Sequence, residues 1–153
     1  VFAPGLMMAF FDRVLVVHLD ERLTAASFAR YRTEWLASVD ARATDAQVGA
    51  FYSVPAWAGI TAAMRKDWAA MLKSREATLR ATTVGMAMAT PSLLVRGAMS
   101  AVFWLAPPPY AHAVVDTNGA AFEFLARKVE GLDAAAFGRR FDELLGRYTS
   151  EAR

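Results

Sequence analysis

Cysteine is absent from this chain, and that absence alone excludes disulfides, thiolate metal sites and cysteine nucleophiles. Imidazole is almost as scarce. His18 and His112 are the two histidines, too few for a multi-histidine metal centre, so no metal and no other cofactor is expected. Asp12, Asp20 and Asp116 offer no substitute, since they do not fall at a recognisable ligand spacing. Long apolar runs are missing too. The most apolar stretch, residues 93–107, is about 15 residues long and carries Arg96, whereas a spanning helix needs roughly 20 apolar residues; no membrane span is expected. Residues 1–7, Val-Phe-Ala-Pro-Gly-Leu-Met, have neither the basic start nor the apolar stretch of a secretory signal. They read as a leader or tag-like segment ahead of Met8, although Leu6 to Phe11 also suits a strand. The expected compartment is the cytoplasm.

What the chain does have is apolar surface. With 153 residues, 56% hydrophobic and 21% charged, it is long enough to close one core without staples and too apolar to be disordered. The formal charge is +2, and 14 of the 17 basic residues are arginine. These arginines are scattered, Arg139-Arg140 being the only adjacent arginine pair, and no basic run interleaves with aromatics. A nucleic-acid partner is therefore not expected. Abundant alanine and arginine with a single isoleucine suit a high-GC bacterial genome.

Hydrophobic periodicity alternates between two kinds of segment. Residues 13–19, Arg-Val-Leu-Val-Val-His-Leu, form a β-branched run of strand length. Thr24 suits an N-cap for a helix in which Phe28, Tyr31, Trp35, Leu36 and Val39 recur at helical spacing. A second strand is expected at 47–53. Pro55 suits the start of a helix whose apolar face holds Trp57, Ile60, Met64, Trp68, Met71 and Leu72. Residues 83–90 carry no charge, as a strand covered on both faces would. Pro91 ends that strand, and Ser92 suits the cap of a helix through Leu93, Leu94, Met99, Val102, Phe103 and Leu105, stopped by Pro107-Pro108-Pro109. A short strand at 111–116, an Asn118-Gly119 turn, a helix at 120–129 closed by Gly131 and a last helix capped by Asp133 complete the chain. The expected fold is a single-domain α/β layer: a four- to five-stranded, mainly parallel sheet with helices on its faces, residues 8–131, plus a C-terminal helix in 132–153. A hairpin through Asp12-Arg13 would add an antiparallel edge.

This order of elements, with "RVLVVHLDERLT", "WAGITAAM", "TTVGMAMAT" and "HAVVDTNGAAFEFLARKV", resembles the STAS-like (SpoIIAA-like) domains of bacteria over about residues 8–130. The resemblance implies a mixed sheet layered with helices and regulation through protein contacts. Members of that family include anti-sigma-factor antagonists switched by phosphorylation of a Ser in an Asp-x-Ser-Gly motif. This chain departs there: the matching place reads Ser53-Val-Pro-Ala-Trp-Ala-Gly-Ile-Thr61, which leaves Ser53 and Thr61 as phosphosite candidates. A second branch, related in shape to lipid-exchange domains, implies an apolar ligand. No catalytic residue carries over from either.

Ligands of open α/β sheets sit beyond the carboxyl ends of the strands. Thr90, Ser92 and Arg96 form a candidate anion site there, where a helix N-terminus, a hydroxyl and a guanidinium converge; the alternative is an ordinary cap beside a surface arginine. His18 would need a partner such as Asp20 or Asp116 to act as a base, and no Gly-x-Ser-x-Gly or phosphate-binding loop accompanies it. Trp57, Met64, Trp68, Met86 and Met88 are candidates for an adaptable apolar pocket, or for plain core. Phe103, Trp104, Pro107, Pro108, Pro109 and Tyr110 set aromatics beside a rigid proline turn and form a candidate interaction surface. The expected function is a non-enzymatic regulatory or interaction domain, working through a protein partner or self-association as a homodimer. The alternative is a binding protein for a small apolar or lipid-like ligand.

Overall fold

The computed structural model describes residues 1–56 and 59–151. Among these, a six-stranded sheet runs in chain order from β1 (Phe2–Ala3) through β2 (Leu6–Phe11), β3 (Val14–Leu19), β4 (Val48–Ser53) and β5 (Thr83–Ala89) to β6 (His112–Val115). The first three strands pair antiparallel and the last four parallel. The α/β class is as the sequence indicates, and the sheet has six strands where four to five were expected, β1 being the addition. Residues 1–7, expected as a leader, are built into the sheet: Phe2 pairs with Met7, and Leu6 and Met7 are fully buried. Asp12 and Arg13, both with positive φ, make the tight turn between β2 and β3, and that handedness matches the twist of the two strands.

The crossovers are α1 (Ala25–Asp40), α2 (Ala62–Ser74) with α3 (Glu76–Thr82), and α4 (Leu93–Leu105). Parallel strands laid down in one direction by right-handed crossovers place every crossover helix on the same face. That face holds Leu15, Val17, Tyr52, Met86 and Met88 from the strands against Phe28, Trp35, Met64, Trp68, Leu79, Met99 and Val102 from the helices. The opposite face is left to the end of the chain, α5 (Asn118–Ala126) and α6 (Ala134–Glu151). There Phe51 packs edge-on against Phe122, Phe137 and Phe141, with ring centroids 4.9–6.3 Å apart. Beneath α5 the sheet carries small residues, and a Cβ on Gly49 would lie 2.8 Å from Val129 Cγ2.

Local chemistry sets the helix ends. Thr24, Ser92 and Asp133 accept from the backbone N–H three residues on, as their caps require. Three boundaries differ from expectation. The helix expected from Pro55 starts at Ala62, because Gly59 sits at φ +60° and Thr61 is the cap, accepting from Met64 N at 3.2 Å. Asn118 and Gly119 are the first turn of α5 instead of a free turn, because Thr117 caps that helix one residue earlier. The short helix α3, between Arg75 and Thr83, was not anticipated. Among the described residues no helix is long and apolar enough to cross a membrane.

Candidate functional site

At the carboxyl end of β3 a buried carboxylate organises its surroundings. Asp20 accepts from Arg22 N at 2.9 Å, Arg22 Nε at 3.1 Å, Arg22 Nη2 at 2.6 Å and Tyr148 Oη at 2.8 Å. Burial pushes this carboxyl up, but the hydrogen bonds from Arg22 and Tyr148 outweigh it and hold it at about 2. Tyr148 is driven the other way, to about 12, by burial and by the hydrogen bond it gives Asp20. The Arg22 guanidinium also lies over the Tyr148 ring, 5.2 Å from its centroid. Beside them His18 Nδ1 lies 3.1 Å from Ser53 Oγ, both residues buried, and burial lowers the imidazole pKa although Asp20 opposes the shift. At neutral pH the carboxylate is thus ionised and spent on its donors, the phenol is protonated and the imidazole is neutral. A cleft of about 430 Å³ outside them is bordered by Phe2, Ala3, Pro4, Arg22, Tyr148 and Glu151. The cluster ties α6 to the sheet across 128 residues of sequence.

Thr90, Ser92 and Arg96 do come together at the end of β5, but they turn on one another. Thr90 Oγ1 accepts from Ser92 N, Ser92 Oγ accepts from Val95 N, and Arg96 Nε and Nη2 both donate to the Thr90 carbonyl at 3.3 Å. Of the three, Ser92 caps α4, Thr90 holds the Ser92 N–H just ahead of the helix, and Arg96 is drawn back to the end of β5. Of the phosphosite candidates, Ser53 is 4% exposed and bonded to His18, while Thr61 is exposed as the cap of α2.

Met64, Trp68, Met86 and Met88 are core residues; Trp57 lies outside the described residues. The space enclosed by Tyr52, Trp68, Met86, Met88, Met99 and Phe103 is about 10 Å³. A single water needs at least about 10–15 Å³, so these side chains fill their own volume and leave no chamber for an apolar ligand.

The surface around the proline triplet divides. Phe103 packs on the core with its ring 5.1 Å from that of His112, and Tyr110 is likewise turned inward, its phenol raised by burial. Pro107 is exposed, and Pro108 and Pro109 are partly covered, bordering a groove of about 510 Å³ with Lys73, Glu76 and Arg80. Trp104, in contrast, is 84% exposed. It is joined by three leucines of the same helix: Leu93 at 78%, Leu94 at 69% and Leu105 at 44%. At 3.6 residues per turn, Leu93, Trp104, Gly97, Ala101, Leu94 and Leu105 follow one another within about 120° of the helix. The buried arc, Val95, Ala98, Met99 and Val102, lies opposite. The helix is therefore apolar on two faces, and the sheet covers one. That double face was visible in the sequence as a 13-residue helix whose only charge is Arg96.

Among the described residues no three histidine or carboxylate side chains gather as a metal would need. Compared with models of protein families, with curated proteins and with solved structures, the chain matches none.

Proposed function

We propose that this chain is a non-enzymatic interaction domain whose contact surface is the outer face of α4. One observation carries the reading: Leu93, Leu94, Trp104 and Leu105 stand exposed along one uncharged stripe, with only small side chains between them. Four such side chains amount to an apolar patch on the order of 400–600 Å², the size that marks partner surfaces. A helix that is apolar all round belongs in an interior, and here the missing part of that interior is a partner. The stripe also holds a tryptophan, Trp104, 84% exposed, and tryptophan is among the residues enriched in binding hot spots. The resemblance to STAS-like domains, which work through protein contacts, agrees with this mode of action.

The test is a photo-reactive amino acid placed at Leu94 in the living host, with the same group at the outward-facing Lys66 of α2 as control. Discrete adducts at position 94 and none at 66 are expected. Equal yields at the two positions would overturn the assignment of α4.

A further inference from the structure

We propose that the partner is the surface of an anionic lipid bilayer, on which α4 lies lengthwise; this rests on the α4 reading and names what covers the stripe. The first observation is shape. At about 100° per residue, Leu93 and Trp104 fall within about 20° of each other and stand almost directly opposite the centre of the buried arc, Val95, Ala98, Met99 and Val102. They form the crest of the helix, about 16 Å apart along its axis. Leu94 and Leu105 stand on one shoulder. Phe103, packed on His112, and Arg96, bonded to the Thr90 carbonyl, occupy the other, on the β6 side. The leucine shoulder therefore faces α2, which packs beside α4.

The contact face is thus a ridge. Neither the groove at the proline triplet nor the cleft at Tyr148 is walled by any of its four large side chains. A protein would have to supply a hollow matched to that ridge, whereas the fluid boundary of a bilayer accepts one of any outline. The helix does not cross the bilayer: its 13 residues reach about 20 Å, against about 30 Å of hydrocarbon.

The second observation is charge. Residues 62–105, which hold α2, α3 and α4, carry six basic residues against two acids, Asp67 and Glu76, a net of +4, so the rest of the chain is at −2. Both acids are already paired, Asp67 with Arg32 and Glu76 with Arg80. The cations beside the stripe are not. Arg65 and Arg96 donate to the carbonyls of Ile60 and Thr90, which carry no net charge, and Lys73 joins no ion pair among the described residues. Asp67, bonded to Arg32 of α1, marks the far side of α2, and Arg65 and Lys73 lie about 160° and 120° round that helix from it. Successive crossover helices run in the same direction, so Arg65 stands toward the Leu94 end of α4 and Lys73 toward the Leu105 end. Lys73 indeed borders the same groove as Ala106 and Pro107. An uncharged ridge with tryptophan on its crest and cations along both flanks matches an anionic bilayer twice over. Leucine and tryptophan enter the boundary between headgroups and acyl chains, and the flanking cations stay with the lipid phosphates. An acidic protein would answer the charge and not the ridge.

Co-sedimentation of the purified full chain with vesicles tests this. Mixed phosphatidylcholine and phosphatidylglycerol vesicles should bind it at about 0.1 M salt, and phosphatidylcholine alone about tenfold more weakly. Lys73→Glu should weaken binding at least about fivefold, the worth of one charge near such a surface. Trp104→Glu should weaken it at least about tenfold, each variant keeping the wild-type circular dichroism. Lipids brominated in their acyl chains should quench the tryptophan fluorescence of the wild type. Trp104→Phe should still bind and lose that quenching, because Trp35 and Trp68 are buried in the core. A chain that ignores the anionic vesicles overturns the bilayer, while adducts from position 94 to proteins would then still support the α4 reading. Equal binding to neutral and anionic vesicles, or binding undiminished in Trp104→Glu, overturns it as well.

Discussion

Replacing Tyr148 by phenylalanine isolates the bond that fastens α6 to the sheet. The phenyl ring keeps the edge contacts that Tyr148 makes with Phe2 and His18, both at 5.7 Å, and removes only the hydroxyl that donates to Asp20 at 2.8 Å. Held at about 2 instead of 3.8, the Asp20 carboxylate favours the folded state at neutral pH by about 2.5 kcal/mol. Screening on the Arg22 side, where that side chain is 40% exposed, brings this to about 1.5–2 kcal/mol. Because the folded value lies below the unfolded one, the stabilisation is complete above pH 4 and is lost as the pH falls through 2. A hydrogen bond to a charged group contributes about 1.5–3 kcal/mol, of which Arg22 compensates part once Tyr148 is gone. Tyr148→Phe should therefore cost about 1.5 kcal/mol at pH 7, or a melting temperature lower by about 3–6 °C. The assay is urea unfolding of both proteins at pH 7 and at pH 2. The difference between them should shrink to roughly a quarter at pH 2, because the linked stabilisation is mostly lost once the pH has fallen to the folded value of Asp20. His18 charges in the unfolded chain below its ordinary 6.5, but it does so in both proteins and cancels from the difference. A difference under about 0.5 kcal/mol at pH 7, or one equal at both pH values, would refute the argument.

Two further outcomes follow from contacts elsewhere on the α5/α6 face and at the sheet's carboxyl edge. Gly49→Ala drives a methyl to 2.8 Å from Val129 Cγ2 and 3.4 Å from Leu125 and Val14, and should cost about 1–3 kcal/mol by denaturant titration; an unchanged midpoint would mean that α5 can lift off β4. Ser53→Ala leaves the buried His18 Nδ1 without its partner and should cost about 1–3 kcal/mol, whereas a neutral result would show that the imidazole finds another partner.

Most of the fold was legible because its signals are local and agree with one another. The charge-free run of β5, the β-branched run of β3 and the hydroxyl caps at Thr24 and Ser92 each state one element, and all appear where expected. The face that each helix covers follows from strand order and crossover hand without further information. What failed was where two local signals compete. Pro55 suits a helix start, but the left-handed Gly59 breaks any helix begun there, and Thr61 supplies a better cap two residues on. Residues 1–7 read as a leader because β1 is only two residues long, and its place depends on Asp20 N donating to the Gly5 carbonyl far along the chain. Gly5 itself sits at φ +70° with its α-carbon so close to the Leu23 backbone that a side chain would collide. No periodicity announces such a contact.

The site was harder to read for a related reason. Periodicity tells which residues of α4 are apolar, and nearly all are, but which of them are buried depends on what lies beside the helix. One sheet can cover one arc, and it covers Val95, Ala98, Met99 and Val102. Nor does the sequence show how Ser92 and Arg96 are engaged: near the end of a buried strand the guanidinium finds the chain's own Thr90 carbonyl. The Met- and Trp-rich reading led to a filled core because Met86, Met88, Trp68 and Met99 interlock. The apolar excess noticed in composition is therefore not stored in a cavity. It stands on the outside of α4, because a helix with two apolar faces and one covering layer leaves its second face in solvent.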